Sequence, residues 1–404
     1  MTEEQKKASE DLWQTNAQAL QLIAGAGSGK TYTLIETVTN CINNFCLAEE
    51  TCLITFTKKA ANELKERLKE RGICVGFAGT MHSLAYDLLK KSGNSPRVIN
   101  NSQNIYNSIF RNIFPQYAHI PSDLTGVDKI LDDNEKNILN DSYKRHKIEV
   151  DKLDFDDLIE KAKSLLLKSE ILHKFKAVFV DEFQDTSYEQ FTFIQALKPE
   201  KLFIVGDDWQ SIYKFRGGDV SLSLNFSNFV QNTKRYFLTK NFRSQKKIVK
   251  LGNNIIKFSK EYIKKKLIAH NGAYKTPGLY IYNKPIDYEE VLHNFYKKLK
   301  REEPLTFLVR TNYLKRKLES SLRADDKIIT IHSSKGLEFE NVIIFGVNQN
   351  IMPHRWGDID EETRLLYVAI TRAKRNLEII ASETNQKYSV FLPLLAKKCK
   401  VSYI

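Results

Sequence analysis

The chain has 404 residues, enough for two or three domains of ordinary size, and 42% of them are apolar, enough to bury a sizeable core. A formal net charge of +13 suits an anionic polymer or surface as partner, although a merely lysine-rich soluble protein would carry the same excess. Five cysteines without a C-x-x-C pair exclude a disulfide framework and a zinc site, and the charged opening Met1 to Lys7 has no apolar run behind it, so no signal peptide or membrane span is expected and the chain reads as cytoplasmic.

In chain order, residues 1–18 read as a helical lead-in, and Leu20 to Ile23 as a short buried strand. Ala24-Gly25-Ala26-Gly27-Ser28-Gly29-Lys30-Thr31 follows, and then a stretch from Tyr32 to Val38 with helical apolar spacing. Strand, glycine-rich turn and helix are the context of a phosphate loop. The glycines let backbone N–H groups turn inward around an anion, and the helix N-terminus adds a favourable dipole. Lys30 can then reach the β and γ phosphates while the Thr31 hydroxyl ligates Mg²⁺. Ala24 stands where the strict pattern has its first glycine, and a residue that small still permits the turn. The stretch predicts nucleoside triphosphate binding.

Cys52 to Thr57 reads as a second buried strand feeding a helix over Lys58 to Leu68. Val75 to Ala78 reads as another strand, and Gly79 to Ala85 as the opening of a helix. From about Lys90 to His173 polar residues and helical periodicity dominate, broken at Pro96, Pro115 and Pro121, which predicts an inserted helical subdomain. Apolar strands resume at Ala177–Val180, Leu202–Val205, Leu305–Val309, Ile328–Ile331, Val342–Phe345 and Leu377–Ile380. Their alternation with helices predicts parallel α/β sheets covered on both faces. The first ends in Asp181-Glu182, as a metal-binding strand of an NTPase does, with Asp181 on Mg²⁺ and Glu182 on the attacking water. Neighbouring strand residues face opposite ways, so both carboxylates can serve one site only if the backbone leaves strand geometry there. The runs Lys264-Lys265-Lys266 and Lys297-Lys298 read as solvated helix faces.

Val180 to Thr186 and Val205 to Gly217 resemble motifs II and III of UvrD/Rep-like (PcrA-type) superfamily 1A DNA helicases. The other motifs resemble that family in order: Gln5, Thr55 to Ala61, Gly79 to Ser83, Asn241 to Ser244, Thr330 to Phe339 and Arg364 to Lys374. The resemblance implies an α/β fold of two RecA-like parallel-sheet lobes, a P-loop NTPase with a helical insertion in the first lobe. It divides the chain into lobe one (1–88 and 175–237), the insertion (89–174) and lobe two (238–404). ATP, with Mg²⁺ on Thr31 and Asp181, would lie between the lobes. The implied catalytic set is Lys30, Asp181, Glu182, Gln210, Arg243 and Arg372, the two arginines acting as fingers on the γ phosphate. Nucleotide contacts would come from Lys30, Gln210, Arg243 and Arg372 of this set and from Gln5, Ala24, Gly25, Ala26, Gly27, Ser28, Gly29, Thr31, Tyr32 and Glu338. Phe56, Thr80, His82, Tyr213, Phe215 and His332 would meet single-stranded DNA, Phe215 by stacking on a base.

Three departures from the family pattern are visible. Tyr32 replaces an arginine after the loop threonine, and Phe242 replaces a tyrosine. The stretch between Asn312 and Ile328 is too short for the domain that larger relatives insert there, and no nuclease domain is expected after the last motif. The function implied is an ATP-dependent single-stranded DNA translocase and helicase, 3'-5' in polarity, acting on single strands and duplex junctions. The alternative is a DNA-stimulated ATPase subunit working with a partner such as a nuclease, in DNA repair or antiviral defence.

Overall fold

The computed structural model describes residues 1–99, 101–117, 131–168, 175–282, 287–299, 303–355, 357–384 and 387–404. The apolar stretches β1 (Ala19–Ala24), β2 (Thr51–Thr55), β3 (Phe77–Thr80), β4 (Ala177–Val180), β5 (Lys201–Gly206) and β6 (Thr233–Leu238) form one parallel sheet. Its order is β3-β2-β4-β5-β1-β6. Every residue of β1, β2 and β4 is buried, without alternation, because helices cover both faces. On one face α1 (Glu3–Gln14), α2 (Lys30–Asn44) and α3 (Lys58–Lys69) enclose Leu20, Leu34, Val38, Leu64 and Phe203.

Between β3 and β4 the described residues form α4 (Met81–Lys91), α5 (Ser102–Ile113), α6 (Asp133–Glu149) and α7 (Phe155–Leu167), and no strand of either sheet. Pro115 follows the end of α5, whereas Pro121 and residues 169–174, where the insertion was expected to end, lie outside the described residues. α4, α7 and α8 (Tyr188–Ala196) close the second face of the sheet around Leu84, Leu88, Leu158 and Phe191, while Phe110, Phe114, Leu131 and Leu139 make a small core of their own in the insertion. The strand expected at Val75–Ala78 lies two residues later. Thr80 is the reason: its hydroxyl accepts the Ser83 N–H at 3.2 Å and caps α4, so the helix starts at Met81 and Gly79 stays in the strand.

β7 (Lys240–Gln245) and β8 (Ile268–Asn271) pair in parallel as a short ribbon. The second sheet contains β9 (Gly278–Tyr282), β10 (Thr306–Val309), β11 (Lys327–Thr330), β12 (Phe339–Phe345), β13 (Ala373–Thr384), β14 (Lys387–Tyr388) and β15 (Lys400–Tyr403). Six of these run parallel in the order β11-β10-β12-β13-β9-β15, and β14 adds antiparallel to β13. Two parallel six-strand sheets flanked by helices are the architecture of two RecA-like lobes.

The two lysine runs part company. Lys297 and Lys298 lie exposed on the helix Tyr288–Leu299. The run Lys264-Lys265-Lys266 is not helical, and although Lys264 and Lys266 are exposed as expected, the Lys265 side chain is fully buried because two carboxylates, Asp207 and Asp208, receive its charge.

Candidate active site

The phosphate loop begins where β1 ends. Gly27 and Gly29 have φ of +67° and +84°, conformations that favour glycine, and Gly29 precedes the first turn of α2, which carries Lys30, Thr31 and Tyr32. A Cβ on Gly27 would lie 2.6 Å from the Arg243 Cβ, and one on Gly29 2.7 Å from Gln5 Nε2. The loop is therefore gripped from both sides. Gln5 Nε2 donates to the Ser28 carbonyl at 3.2 Å, while its Oε1 accepts the Thr2 N–H at 2.8 Å. From the other side the Phe242 N–H donates to the Gly27 carbonyl at 2.8 Å and Asn241 Nδ2 to the Ala26 carbonyl at 2.6 Å. Inside this grip the buried Ser28 hydroxyl has no hydrogen-bond partner. Tyr32 points outward, 41% exposed, beside Glu36.

Strand geometry ends at Val180, and Glu182 adopts φ +52°, a costly conformation for a residue with a side chain. Asp181 and Glu182 thereby line one cavity. Lys30 Nζ meets Glu182 Oε1 at 2.7 Å, and Asp181 Oδ1 accepts the Glu182 N–H at 2.9 Å. Burial, with the Glu182 charge next to it, pushes the Asp181 carboxyl up to about 7. Burial opposes ionisation of Glu182 too, but the Lys30 ammonium overrides it and holds Glu182 below the usual carboxylate range. Gln184, wholly buried, donates from Nε2 to Glu182 Oε2 at 2.6 Å, and its Oε1 accepts the Asp207 N–H at 3.0 Å. One amide thus ties the Asp181-Glu182 turn to the segment that starts at Asp207.

From the second lobe, Arg372 follows the helix Ile359–Ile370 and is 1% exposed. Its guanidinium donates to Val368 O and Leu337 O, both at 3.1 Å, and to Gln210 Oε1 at 2.9 Å. None of these acceptors is a carboxylate. Burial, with Arg243 nearby, brings its pKa down to about 9. Arginine keeps its proton in proteins, so the site holds a buried cation that an anion would stabilise. Arg243 Nε pairs with Glu338 Oε2 at 2.7 Å, and Lys374 meets the other oxygen of Glu338 at 2.8 Å. Gln210 Nε2 donates to Asp207 Oδ2 at 2.7 Å. Lys335 reaches across from lobe two to the Asp185 carboxylate and the Gln210 carbonyl.

The cavity that the acid pair lines measures about 1590 Å³ and is walled by lobe one, the insertion and, from lobe two, Gly357, Asp358 and Glu361. Phe56, Thr80, His82 and Phe215 line it, joined by Tyr106, Tyr143, Lys144 and Lys147 of the insertion. Tyr213 and His332 are not among its lining residues. Tyr213 stacks on Phe56 with centroids 5.1 Å apart, and His332 stands edge-on to Phe215 at 5.4 Å. Burial and then the charges of Arg310, Lys335 and Arg216 push His332 down to about 3, so its imidazole is neutral. His82 packs against Phe155 at 4.7 Å. Phe215 is 41% exposed, with the Arg216 guanidinium 5.5 Å from its ring.

Residues 5–216 match the family described as AAA domain, and residues 286–384 match the family described as UvrD-like helicase C-terminal domain. The chain belongs to the UvrD-like helicases. A Mycoplasma pneumoniae relative named "Probable DNA helicase" is 27% identical over 443 residues, covering 93% of this chain and 84% of the relative. The ATP-dependent DNA helicase PcrA of Leuconostoc citreum is 29% identical over 359 residues, 76% of this chain and 47% of that protein. PcrA of Staphylococcus epidermidis is 29% identical over 343 residues, again covering 47% of that protein. The chain thus spans about half the length of these PcrA relatives.

In this UvrD-like chain, the parts played by three residues were not read from the sequence: Gln184, Lys335 and Lys265, the last expected in solvent. The first two lie inside stretches that matched family motifs, but a motif match does not say which neighbour a side chain will bond. Lys265 sits in a charge run whose burial only the fold reveals.

Proposed function

We propose that this UvrD-like chain is an ATP-dependent single-stranded DNA translocase and DNA helicase of 3'-5' polarity. ATP binds between lobe one (1–88 and 175–237) and lobe two (238–404), with the insertion (89–174) forming one wall of the DNA cleft. The observation that carries the reading is one short segment. At one end Gln210 is hydrogen-bonded to the buried cation Arg372, and five residues on Phe215 lines the cleft.

In this reading the phosphates lie in the loop from Ala24 to Thr31, where the unpartnered Ser28 hydroxyl supports an anion as ligand. Gln5 and Tyr32 flank the base side of the loop, and Glu338 exchanges an arginine for the nucleotide. The acid pair fits Mg²⁺: the Asp181 carboxylate is buried and stands next to the half-buried Glu182, whose own oxygen is taken by Lys30. A divalent ion held by Thr31, Asp181 and the phosphates would neutralise charge on the γ phosphate. Glu182 takes a proton from water as the water oxygen attacks phosphorus and the bond to the ADP oxygen breaks. Arg243 and Arg372 meet the charge that develops, and lobe closure advances the strand past Phe215.

A second reading is favoured by the connection from β10 to β11, which holds the single helix Asn312–Glu319 and no inserted domain. It is a DNA-stimulated ATPase that unwinds through a partner such as a nuclease. Strand separation on duplexes with a 3' or a 5' single-stranded tail tests both readings. Unwinding of the 3'-tailed duplex alone supports the first. DNA-stimulated ATP hydrolysis without unwinding of either substrate supports the second, and no ATP hydrolysis overturns both.

A further inference from the structure

Residues 259–267 run between the lobes and are tied to each. On the lobe-two side, Arg364 donates to the Glu261 carbonyl at 2.9 Å, the Lys260 N–H to Asp360 Oδ1 at 2.8 Å, and Asn253 Nδ2 to the Leu267 carbonyl at 2.8 Å. On the lobe-one side, Trp209 Nε1 donates to the Ile263 carbonyl at 3.1 Å and the Ile263 N–H to Asp208 Oδ2 at 2.7 Å. At the centre is Lys265. Its ammonium lies 3.0 Å from Asp207 Oδ1 and 2.5 Å from Asp208 Oδ1, with all three side chains fully buried, and 4.2 Å from the centre of the Trp209 ring.

The bonds continue from there. The other oxygen of Asp207 accepts from Gln210 Nε2 at 2.7 Å, and Gln210 Oε1 accepts from Arg372 at 2.9 Å. An ionised carboxylate only accepts and a guanidinium only donates, so a single orientation of the Gln210 amide satisfies both neighbours. That orientation depends on Asp207 staying an anchored acceptor. Without the ammonium the two adjacent buried carboxylates would repel each other, and Asp207 Oδ1 would keep only the Trp209 N–H, at 3.3 Å, to hold it. An Asp207 that rotates away would release the amide NH₂ and leave Gln210 held at Arg372 alone.

We propose that Lys265 is a positioning residue for ATP hydrolysis: from the lobe-two side it fixes Asp207 as an acceptor, so that Gln210 keeps its carbonyl oxygen on Arg372. The role rests on the ATPase reading above. Lys265 touches none of the groups assigned to the phosphates, so its loss acts on turnover and not on ATP binding.

The test is steady-state ATP hydrolysis at saturating single-stranded DNA. Lys265→Met should lower kcat at least about tenfold while KM for ATP stays within about threefold. The double variant Lys265→Met/Asp208→Asn has the net charge of the wild-type cluster and relieves Asp207 of the neighbouring carboxylate, so it should recover most of the lost kcat. The matched Lys265→Met/Asp207→Asn should not. Should Lys265→Met fail to fold, the two charge-matched doubles decide, the Asp208→Asn double being at least about tenfold faster. An unchanged kcat in Lys265→Met, or equal kcat in the two doubles, overturns the role of Lys265. A wild-type chain that hydrolyses no ATP overturns instead the reading on which it rests.

Discussion

Arg372 reaches Gln210 across the boundary between the two sheets, guanidinium nitrogen to amide oxygen at 2.9 Å. Each residue has its own lobe behind it. Arg372 is fixed by the carbonyls of Val368 and Leu337, and Gln210 by Asp207. A phosphate entering between them would draw on a cation already buried, so its desolvation is complete before the ligand arrives.

Arg372→Ala should lower kcat for ATP hydrolysis by about 10³-fold or more, the scale of an arginine finger. Affinity for single-stranded DNA should stay within about threefold, because Arg372 does not line the cleft. Turnover assays with DNA-binding titrations check both halves. Unchanged turnover would remove Arg372 from the site.

Glu182→Gln keeps the shape of the side chain and loses the base. Hydrolysis should fall by about 10²–10⁴-fold, the usual span for a general base. ATP should still bind, since Lys30 loses its carboxylate partner and remains available to the phosphates. Lys30→Ala should lose both binding and hydrolysis. Equilibrium binding of a fluorescent ATP analogue separates the two variants.

Gln184 offers a test at a residue that contacts no nucleotide. Gln184→Ala frees one oxygen of Glu182 and leaves the buried Asp207 N–H unpaired. An unsatisfied buried donor costs about 1–3 kcal/mol, so the melting temperature should drop together with kcat. A variant as stable and as fast as wild type would show that the bridge between the two segments is dispensable.

His332 carries a pH test. Its pKa is lowered to about 3, so the ring is neutral throughout pH 5.5–8 and adds no positive charge toward DNA as the pH falls. An ordinary histidine, with a pKa of about 6.5, would gain charge across that range and strengthen binding at the acid end. His332→Gln should therefore leave the pH profile of DNA affinity unchanged. An acid-side gain present in wild type and absent in the variant would mean that His332 titrates.

Strands buried on both faces were legible as apolar runs, as at Leu20–Ile23 and Val342–Phe345, because a parallel sheet needs no polar alternation. β6, with Lys234 and Arg235 inside it, and β7, with Asn241 and Arg243, were not, because edge and ribbon strands keep polar side chains. At the site, the break in strand geometry that two adjacent carboxylates require occurs at Glu182. The environment of a charge was harder to read. Lys265 and Lys297 look alike in sequence, and one is buried against two aspartates while the other is in solvent. Tyr213 and Phe215 are two residues apart in one motif, yet only the second lines the cleft, because Tyr213 stacks on Phe56.

The most direct measurement is the translocation rate per ATP consumed on a labelled single strand, wild type against Phe215→Ala. Phe215 lines the cleft proposed for DNA. Its loss should weaken DNA binding by about one stacked base, roughly 1–3 kcal/mol, and leave DNA-free hydrolysis near the wild-type rate. At saturating DNA the variant should still hydrolyse ATP but advance fewer nucleotides for each one consumed. A wild-type ratio in Phe215→Ala, or DNA-free hydrolysis as low as that of Lys30→Ala, would contradict the coupling of Gln210 to the cleft through this segment.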